Sequence, residues 1–229
     1  MSTPSQGRPA PDDVTKAHEK HAGQITITIN GLGKKFNSEW IFRNLSYVFY
    51  PGQIYAVTGP NGAGKSTLLQ VLWGQMPQTI GKIEYKRNNK AVPVEDIFKH
   101  LSIATPYMEL IEEFTLLEQM RFHFAMKSAR PGMSEDVMLE RMYLTDSKDK
   151  FISNFSSGMK QRVKLALAFF TMADVIFLDE PGTNLDRRAF EWYLNQVKDM
   201  PSECLIFIAS NQPSEYPSNA QKIDIMSFK

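Results

Sequence analysis

The sequence predicts an α/β fold, and three patterns support this prediction. The segment ITITIN, residues 25–30, alternates apolar and polar side chains as a half-buried strand does. A glycine-rich loop at residues 59–64 joins an apolar strand to a segment whose leucines recur at helical spacing. Two further apolar segments, residues 175–178 and 204–209, stop abruptly on polar residues. Strands that alternate with helices along a chain are typical of an α/β domain.

The composition is that of an ordinary globular protein and does not indicate any class of binding partner. The 229 residues are 42% hydrophobic and 22% charged, enough for one domain with a lobe or for two small domains. The 26 basic and 25 acidic residues give a net charge of +1, so we expect no nucleic-acid partner. The single cysteine, Cys204, excludes an internal disulfide and a multi-cysteine metal site. This cysteine usage fits a reducing, cytosolic compartment.

The N-terminal segment differs from the rest of the chain. Residues 1–23 are rich in Pro, Ser, Gln and charge and have almost nothing to bury, which predicts a disordered tail before a single domain at residues 24–229. The segment lacks the apolar core of a signal peptide, and no run in the chain approaches the roughly 18 apolar residues of a membrane helix. We therefore expect that the chain does not cross a membrane by itself.

Three strands are expected before and up to the glycine-rich loop. The isoleucines at positions 25, 27 and 29 share one face of the first strand. Residues 41–58 supply two more strands around a turn at Pro51–Gly52, and the second of them runs directly into Gly59. This junction between a strand and a glycine gives the strongest indication of function in the sequence.

The segment GPNGAGKST, residues 59–67, has the spacing G-x-x-x-x-G-K-S between a strand and a helix, which is the context that a phosphate-binding loop requires. Its glycines allow close approach of the backbone, and the helix N-terminus adds partial positive charge. Lys65 can reach terminal phosphates, and the Ser66 hydroxyl can bind Mg²⁺. The alternative, a glycine turn that happens to precede a helix, is disfavoured by this context. The predicted nucleotide-binding residues of the loop are Gly59, Asn61, Gly62, Ala63, Gly64, Lys65, Ser66 and Thr67.

A carboxylate pair, Asp179 and Glu180, ends the apolar segment at residues 175–178. Alone, such a pair is as well explained by a solvated strand end or a helix cap. With a phosphate-binding loop in the same chain, Asp179 is suited to hold Mg²⁺, directly or through water, because this ion prefers oxygen ligands. Glu180 is suited to orient or deprotonate an attacking water. We therefore predict Ser66 and Asp179 as metal ligands and Lys65 and Glu180 as catalytic residues.

The segment NFSSGMKQRVKLALAFF lies between these two motifs and has a Ser-Ser-Gly turn at the start of an apolar helix. By propensity alone, Ser156 and Ser157 would be N-cap residues of this helix. The ordered set GPNGAGKST, FSSGMKQR, VIFLDEP and GTNLD resembles the ATP-binding cassette (ABC) ATPases over about the whole chain after Gln24. Four motifs in one order are more specific than any single motif.

The resemblance implies a fold and a dimeric site. The fold would be a P-loop NTPase core with a mainly parallel sheet, an antiparallel β edge at about residues 24–58 and a helical lobe at about 107–160. In this family two cassettes pair head to tail, so Ser156 and Gly158 would contact the γ-phosphate held by a second copy, from a helix that starts near Met159. Asp186 would lie at the interface between the copies. Phe36 would stack on adenine, although a lone aromatic at this position is also compatible with the core.

Two positions depart from the family pattern. Pro106 or Tyr107 stands near the place of a glutamine that senses Mg²⁺ and water, and Glu109 is close enough in sequence to substitute for it. Asn211 stands at the place of the family's switch histidine, and the alternative is a strand end capped by polar residues before Pro213. An asparagine amide can still donate to a phosphate oxygen, but it carries no charge. We therefore add Asn211 to the predicted catalytic residues and expect slow turnover.

The resemblance implies that the chain binds and hydrolyses ATP with Mg²⁺ and powers a multi-subunit ABC transporter through ATP-dependent dimerisation. The membrane-spanning permease would be a separate chain that docks on the helical lobe and holds this subunit at the cytoplasmic face of the membrane. Two alternatives stay open. One is a soluble ABC ATPase that is not a transporter, and the other is a nucleotide-gated module with weak hydrolysis.

Overall fold

A computed structural model describes residues 25–229. The predicted tail at residues 1–23 and the predicted first domain residue, Gln24, lie outside the described residues. The strands are β1 (Ile25–Phe36), β2 (Glu39–Phe49), β3 (Ile54–Thr58), β4 (Ile80–Arg87), β5 (Lys90–Val92), β6 (Leu101–Ala104), β7 (Val175–Asp179), β8 (Leu205–Ala209) and β9 (Gln221–Asp224). The α-helices of this range are α1 (Lys65–Leu72), α2 (Leu116–Met126), α3 (Glu135–Arg141), α4 (Ser157–Phe170) and α5 (Arg187–Lys198).

A five-stranded parallel sheet forms the centre of the fold, with the order β6-β7-β8-β3-β9. Every residue of β7 and β8 is buried, because elements cover both faces of the sheet. The two strands are therefore apolar throughout and show no alternation. The predicted α/β architecture with a mainly parallel sheet is confirmed.

The two faces of the parallel sheet pack against different elements. Phe207 of β8 stacks on Phe177 of β7, with ring centroids 4.8 Å apart, in a cluster that includes α1 and the isoleucines of β1. Ile206 and Ile208 alternate with Phe207 along β8 and join α4 and α5 on the opposite face. One strand therefore connects two hydrophobic clusters, which fixes the sheet between the helices and the second sheet.

The second sheet is antiparallel, with the order β2-β1-β4-β5. The predicted limits of this region, residues 24–58, were wrong at the C-terminal side, because the sheet continues to Val92 and β3 belongs to the parallel sheet. The physical reason is burial. Three of the five residues of β3 are buried in a row, as in a central parallel strand, whereas most of β4 is exposed or half-buried.

Helices α2 and α3 lie within the predicted helical lobe at about residues 107–160. Thr115 and Glu118 form a capping box at the start of α2, in which the Thr115 side chain accepts from the Glu118 N–H and the Glu118 carboxylate accepts from the Thr115 N–H. A bridge between Thr115 and Phe151 ties the start of this region to its end. Helix α4 then returns to pack on β6 and β7.

Among residues 25–229, none of the helices combines the length and the apolar character needed to cross a bilayer.

The register of the parallel sheet brings three functional segments to one edge. Ala209 at the end of β8 pairs with Asp179 of β7 and with Val57 of β3. The carboxyl ends of these three strands therefore lie side by side, where ligands bind in open α/β sheets. These strand ends and the loops that follow them carry the glycine-rich motif, the carboxylate pair and Asn211.

Candidate nucleotide-binding site

The glycine-rich loop after β3 has a backbone that only glycine adopts easily at three positions. Gly59, Gly62 and Gly64 have φ angles of +142°, +77° and +103°. At Gly64 the space is also tight, because a Cβ atom there would lie 2.3 Å from Cγ2 of Ile41. The loop can therefore fold closely over the start of α1. Ala63 is 5% exposed and packs into the core, so its side chain supports the loop from inside.

Helix α1 begins at Lys65 without a side-chain cap. Its N-cap residue is Gly64, which is left-handed and offers no side-chain hydrogen bond. The first N–H groups of an α-helix have no acceptor within the helix. Phosphate oxygens supply such acceptors, together with the negative charge that a helix N-terminus stabilises. The loop and the start of α1 therefore fit the phosphates of a nucleotide.

The Lys65 side chain folds back over this loop and is 4% exposed. Its ammonium group donates to the carbonyl oxygens of Gly59, at 3.0 Å, and of Pro60, at 3.2 Å. Both acceptors are neutral, and a hydrogen bond from an ammonium to an anion is stronger than one to a carbonyl. Phosphate oxygens would therefore compete well for this group.

Asp179 lies at the end of β7 and is 2% exposed. Burial raises the pKa of its carboxyl group, and Glu180 raises it further, whereas the Ser66 hydroxyl and Lys65 act in the opposite direction. Its Oδ1 atom is buried and makes no hydrogen bond to any part of the chain that the structure describes. Such an oxygen fits a metal-bound water or the metal itself. Ser66 and Asp179 would thus hold Mg²⁺, and the bound ion would neutralise charge on the phosphate oxygens.

Glu180 has a left-handed backbone, with φ of +46°. Such a conformation costs a non-glycine residue on the order of 1–3 kcal/mol and is often found at functional sites. Its N–H donates to the Ala209 carbonyl at 2.9 Å, so β8 holds the strained residue in place. Glu180 lines the same cavity as the glycine-rich loop. Glu180 therefore borders the space where phosphates would lie.

Asn211 follows β8 and contacts the glycine-rich loop directly. Its side-chain amide donates to Oδ1 of Asn61 at 2.9 Å. The backbone before it is fixed, because the Ser210 N–H donates to the Val57 carbonyl at 3.1 Å. The polar end of β8 thus lies against the glycine-rich loop.

One cavity of about 380 Å³ contains most of these groups. It is lined by Ile41, Asn61, Gly62, Gly64, Lys65, Ser66, Thr67, Tyr107 and Glu180. Sequence reasoning missed Ile41, because the approach of β2 to the loop depends on long-range packing, and only its apolar character was a signal. Phe36 is not among the lining residues. It is 43% exposed, with the Lys34 ammonium 5.0 Å from its ring centroid.

Ser156 and Gly158 lie apart from this cavity. The alternative that Ser156 caps a helix is confirmed, since its hydroxyl accepts from the Met159 N–H at 3.2 Å. The helix begins at Ser157, two residues before the predicted start. Gly158 is packed against the loop after β7, because a Cβ atom there would lie 2.7 Å from the Asn184 carbonyl oxygen. Within one chain, these residues and Lys65 do not line the same cavity.

A second cavity, of about 560 Å³, lies at the helical region. It is lined by Pro106, Tyr107, Met108, Glu109, Leu110, Glu112, Lys160 and Lys164. Of the three residues considered for the glutamine position, Pro106 and Glu109 line only this groove. Tyr107 lines both cavities and is 82% exposed. It is thus the residue through which the two cavities meet.

Comparisons with known proteins agree with this architecture. The family model described as ABC transporter matches residues 42–183, more than half of the chain. The chain is 30% identical to the zinc import ATP-binding protein ZnuC of Buchnera aphidicola, over 87% of this chain and 79% of that protein. It is also 30% identical to the daunorubicin resistance ATP-binding protein DrrA3 of Streptomyces coeruleorubidus, over 71% of this chain and 52% of that protein.

A solved protein from Pyrococcus furiosus, assigned to the ATP-binding proteins of ABC transporters, has a similar fold. It matches with a TM-score of 0.75 at 18% identity and covers 89% of this chain and 98% of that one. The chain spans only 26% to 52% of the length of the first curated relatives that it matches. The motifs, the cassette fold and the family match together show that this chain belongs to the ABC transporter family, as a nucleotide-binding domain of its ATPases, proteins that bind and hydrolyse ATP.

Proposed function

We propose that this chain is the ATP-binding and ATP-hydrolysing subunit of a multi-subunit transporter, with Mg²⁺ as its cofactor. One observation carries the proposal. Lys65, Ser66 and Glu180 line a single cavity at the uncapped start of α1, beside the buried Asp179. A phosphate cradle, a metal site and a carboxylate base in one place are the parts that phosphoryl transfer to water requires.

Each residue of the cavity has a separate role in this proposal. Lys65 pairs with the terminal phosphates, and Ser66 and Asp179 hold the metal ion. Glu180 orients the attacking water and accepts its proton. Asn211 donates to a γ-phosphate oxygen through its amide. The half-buried side chain of Ile41 supplies an apolar contact beside the loop, and Phe36 supplies the adenine stack that the family resemblance implies.

A second copy of the cassette would complete the site. Ser156 is exposed, and its hydroxyl accepts from Met159 while keeping its own proton to donate. It does not line the cavity of its own chain, so its proposed phosphate contact is with ATP held by the partner. Gly158, at the same helix start, would approach that phosphate through its backbone. Asp186 would lie between the two copies, although its carboxylate already caps α5 by accepting from the Ala189 N–H at 2.8 Å.

The helical region would connect ATP to a separate permease chain. The groove of about 560 Å³ combines apolar walls with Lys160 and Glu112, which form an ion pair. We place Tyr107 in the role of the missing glutamine, because it lines this groove and the nucleotide cavity alike. A segment of the permease seated in the groove would then sense the nucleotide through Tyr107. The permease would hold the subunit at the cytoplasmic face of the membrane.

The relatives support transport without identifying what is moved. ZnuC is named for zinc import and DrrA3 for daunorubicin resistance, so proteins similar to this chain serve different substrates. We therefore propose transport as the class of activity and no particular cargo.

Steady-state hydrolysis tests the catalytic half of the proposal. Wild-type protein should release phosphate from ATP only with Mg²⁺, and Glu180→Gln should lower kcat by at least about a hundredfold with little change in ATP affinity. Equal turnover in the two proteins would reject Glu180 as the base.

Gradient fractionation of cells tests the proposed role in transport. Sedimentation with membranes that depends on a co-purifying integral protein supports it, and a fully unbound chain favours a soluble ABC ATPase.

A module that binds ATP and hydrolyses it weakly remains the second candidate. The observation in its favour is that the Asn211 amide is uncharged and already bonded to Asn61. Tight ATP binding combined with negligible turnover, also in the presence of the co-purified membrane chain, would select this candidate.

A further inference from the structure

Glu215 is a buried carboxyl group beside the site that none of the roles above uses. It ends the short helical turn Pro213–Glu215 after β8 and is 2% exposed. Its backbone is anchored, because the Tyr193 hydroxyl donates to the Glu215 carbonyl oxygen at 2.6 Å. Glutamate is seldom fully buried without a partner. The burial of the Glu215 carboxyl group therefore needs a physical explanation.

The carboxyl group lies against the loop that follows β7. A Cβ atom added at Gly182 would lie 2.4 Å from Oε1 of Glu215, so only glycine lets the two approach this closely. The Ser210 hydroxyl and the Gly182 amide are the polar groups that act on this carboxyl. Its other oxygen, Oε2, is buried and has no hydrogen-bond partner within residues 25–229. One side chain therefore touches the loops after two neighbouring strands.

The surroundings of the Glu215 carboxyl group raise its pKa above the ordinary value of a glutamate. Burial raises the pKa of Glu215, and the negative charge of Glu180 raises it further. The Ser210 hydroxyl, the Gly182 amide and Lys65 act in the opposite direction. Tyr193 of α5 is the other titratable group in contact, through the Glu215 carbonyl. Glu180 has this effect because two negative charges close together repel each other.

We propose that Glu215 is a positioning residue for hydrolysis, which joins the loop that carries Glu180 to the loop that carries Asn211. The inference rests on the proposed function, since it assumes that these two residues act on ATP. Glu215 itself does not line the nucleotide cavity, so it acts through the two loops and not on the phosphates.

Several contacts hold the loop after β7, including Gly158 against Asn184 and the Phe190 ring beside Gly182. The Glu180 N–H is held by Ala209, and the Gln161 amide donates to the Pro181 carbonyl at 3.1 Å. The far end is fixed where Asp186 caps α5. Between these points, Gly182 packs against Glu215. Removing the carboxyl group should let this turn shift, and a shift of about 1 Å in a reacting group can lower a rate about a hundredfold.

The effect should fall on turnover and not on ATP binding. Apart from Asn211, the groups of this chain assigned to its own nucleotide belong to the loop after β3, the start of α1 and the end of β7, and Glu215 lines no part of the cavity that they form. We expect Glu215→Leu to lower kcat at least about tenfold while KM and the calorimetric Kd for ATP change less than about twofold. Glu215→Gln, which keeps the size of the side chain and an oxygen that accepts hydrogen bonds, should keep at least about half of the wild-type kcat.

Tyr193→Phe is the matched control. It removes the hydroxyl that anchors the Glu215 backbone but leaves the carboxyl group and its contact with Gly182 in place. We expect this variant to lose thermal stability and to keep the wild-type kcat at 25 °C. If Tyr193→Phe and Glu215→Leu lower kcat equally, or if folded Glu215→Leu turns over as fast as wild type, the positioning role is rejected.

Gly182→Ala tests the same contact should Glu215→Leu fail to fold. A Cβ atom at this position would lie too close to the Glu215 carboxyl group and would push the two loops apart. We expect this variant to lower kcat at least about tenfold while the Kd for ATP changes less than about twofold. A folded Gly182→Ala protein that turns over as fast as wild type would overturn the inference. Failure of the proposed function looks different, because Glu180→Gln would then hydrolyse ATP like wild type.

Discussion

The side-chain amide of Asn211 donates a hydrogen bond of 2.9 Å to Oδ1 of Asn61 and so joins the loop after β8 to the glycine-rich loop. An asparagine amide has two N–H donors, and this bond uses one of them. The second remains for a phosphate oxygen. The residue at the family's histidine position thus contacts the glycine-rich loop through a neutral group.

Replacing Asn211 by histidine should raise turnover. Charge spreads over the γ-phosphoryl oxygens in the transition state, and a donor with longer reach and positive charge stabilises it more than it stabilises bound ATP. We expect kcat to rise by up to about tenfold, or roughly 1.4 kcal/mol, with an unchanged ATP affinity. Steady-state kinetics at matched protein concentration measure this. A lower kcat with intact folding and binding would mean that Asn211 belongs to a differently organised site.

Lys65→Ala and Ser156→Ala should separate binding from turnover. Lys65 lies in the nucleotide cavity of its own chain, whereas Ser156 lies outside it and, in the proposed dimer, would act only on ATP held by the partner. We expect Lys65→Ala to lose at least about tenfold in ATP affinity, and Ser156→Ala to bind like wild type but hydrolyse slowly. Calorimetry on monomeric protein provides the comparison. Equal losses of affinity would contradict this division of roles.

The Mg²⁺ dependence of ATP binding should respond to pH through Asp179. Burial raises the pKa of its carboxyl group, so this group takes up a proton at a higher pH than an ordinary aspartate. Because Mg²⁺ binds the ionised form, the gain in ATP affinity from Mg²⁺ should fall as the solution is acidified. Calorimetry with and without Mg²⁺ from about pH 7.5 to 5 measures this gain in ATP affinity. The control is Asp136→Asn, which changes an exposed aspartate and should leave the gain as in wild type. Asp179→Asn should lack both the gain and its pH dependence, and an unaltered gain would contradict the assignment.

His123 should make the fold sensitive to mild acid. Burial, with a smaller effect of Lys127, lowers the pKa of its imidazole to about 4, and its Nε2 atom is hydrogen-bonded to the Thr171 hydroxyl at 2.8 Å. The unfolded chain takes up this proton near pH 6.5, so the contribution of His123 to stability is complete above about 6.5 and is lost as pH falls towards 4. We expect the loss of Tm between pH 7 and 5 to be smaller in His123→Gln. Identical pH dependence in both proteins would refute this.

Local patterns were sufficient to predict the central elements of the fold. Residues 175–178 and 205–209 are continuous apolar runs, and residues 59–67 carry their glycines and lysine at a spacing that is typical of a phosphate-binding loop. The resemblance to the ABC ATPases, and not these local patterns, implied that the strand ends meet at the nucleotide. The local patterns could not indicate which sheet β3 joins, because that depends on pairing between distant segments.

Two site residues were missed for the same reason, because their contacts depend on how distant segments pack together. Ile41 contacts the glycine-rich loop only because β2 folds across it, and Glu215 contacts Gly182 only because two loops from neighbouring strands meet. Neither residue belongs to a recognisable motif. The dual role of Ser156 is different, since its capping bond is local and was foreseen as an alternative, whereas its contact with a second chain remains a prediction.

The ATP-dependent assembly of Glu180→Gln tests the central claim most directly. This variant keeps the shape and hydrogen bonding of Glu180 but removes the base, so bound ATP should persist and hold two chains together through Ser156 and Gly158. Light scattering across a range of protein concentrations should give the monomer mass without nucleotide and twice that mass with saturating ATP and Mg²⁺. A Glu180→Gln protein that binds ATP and yet keeps the monomer mass at every concentration would contradict the account.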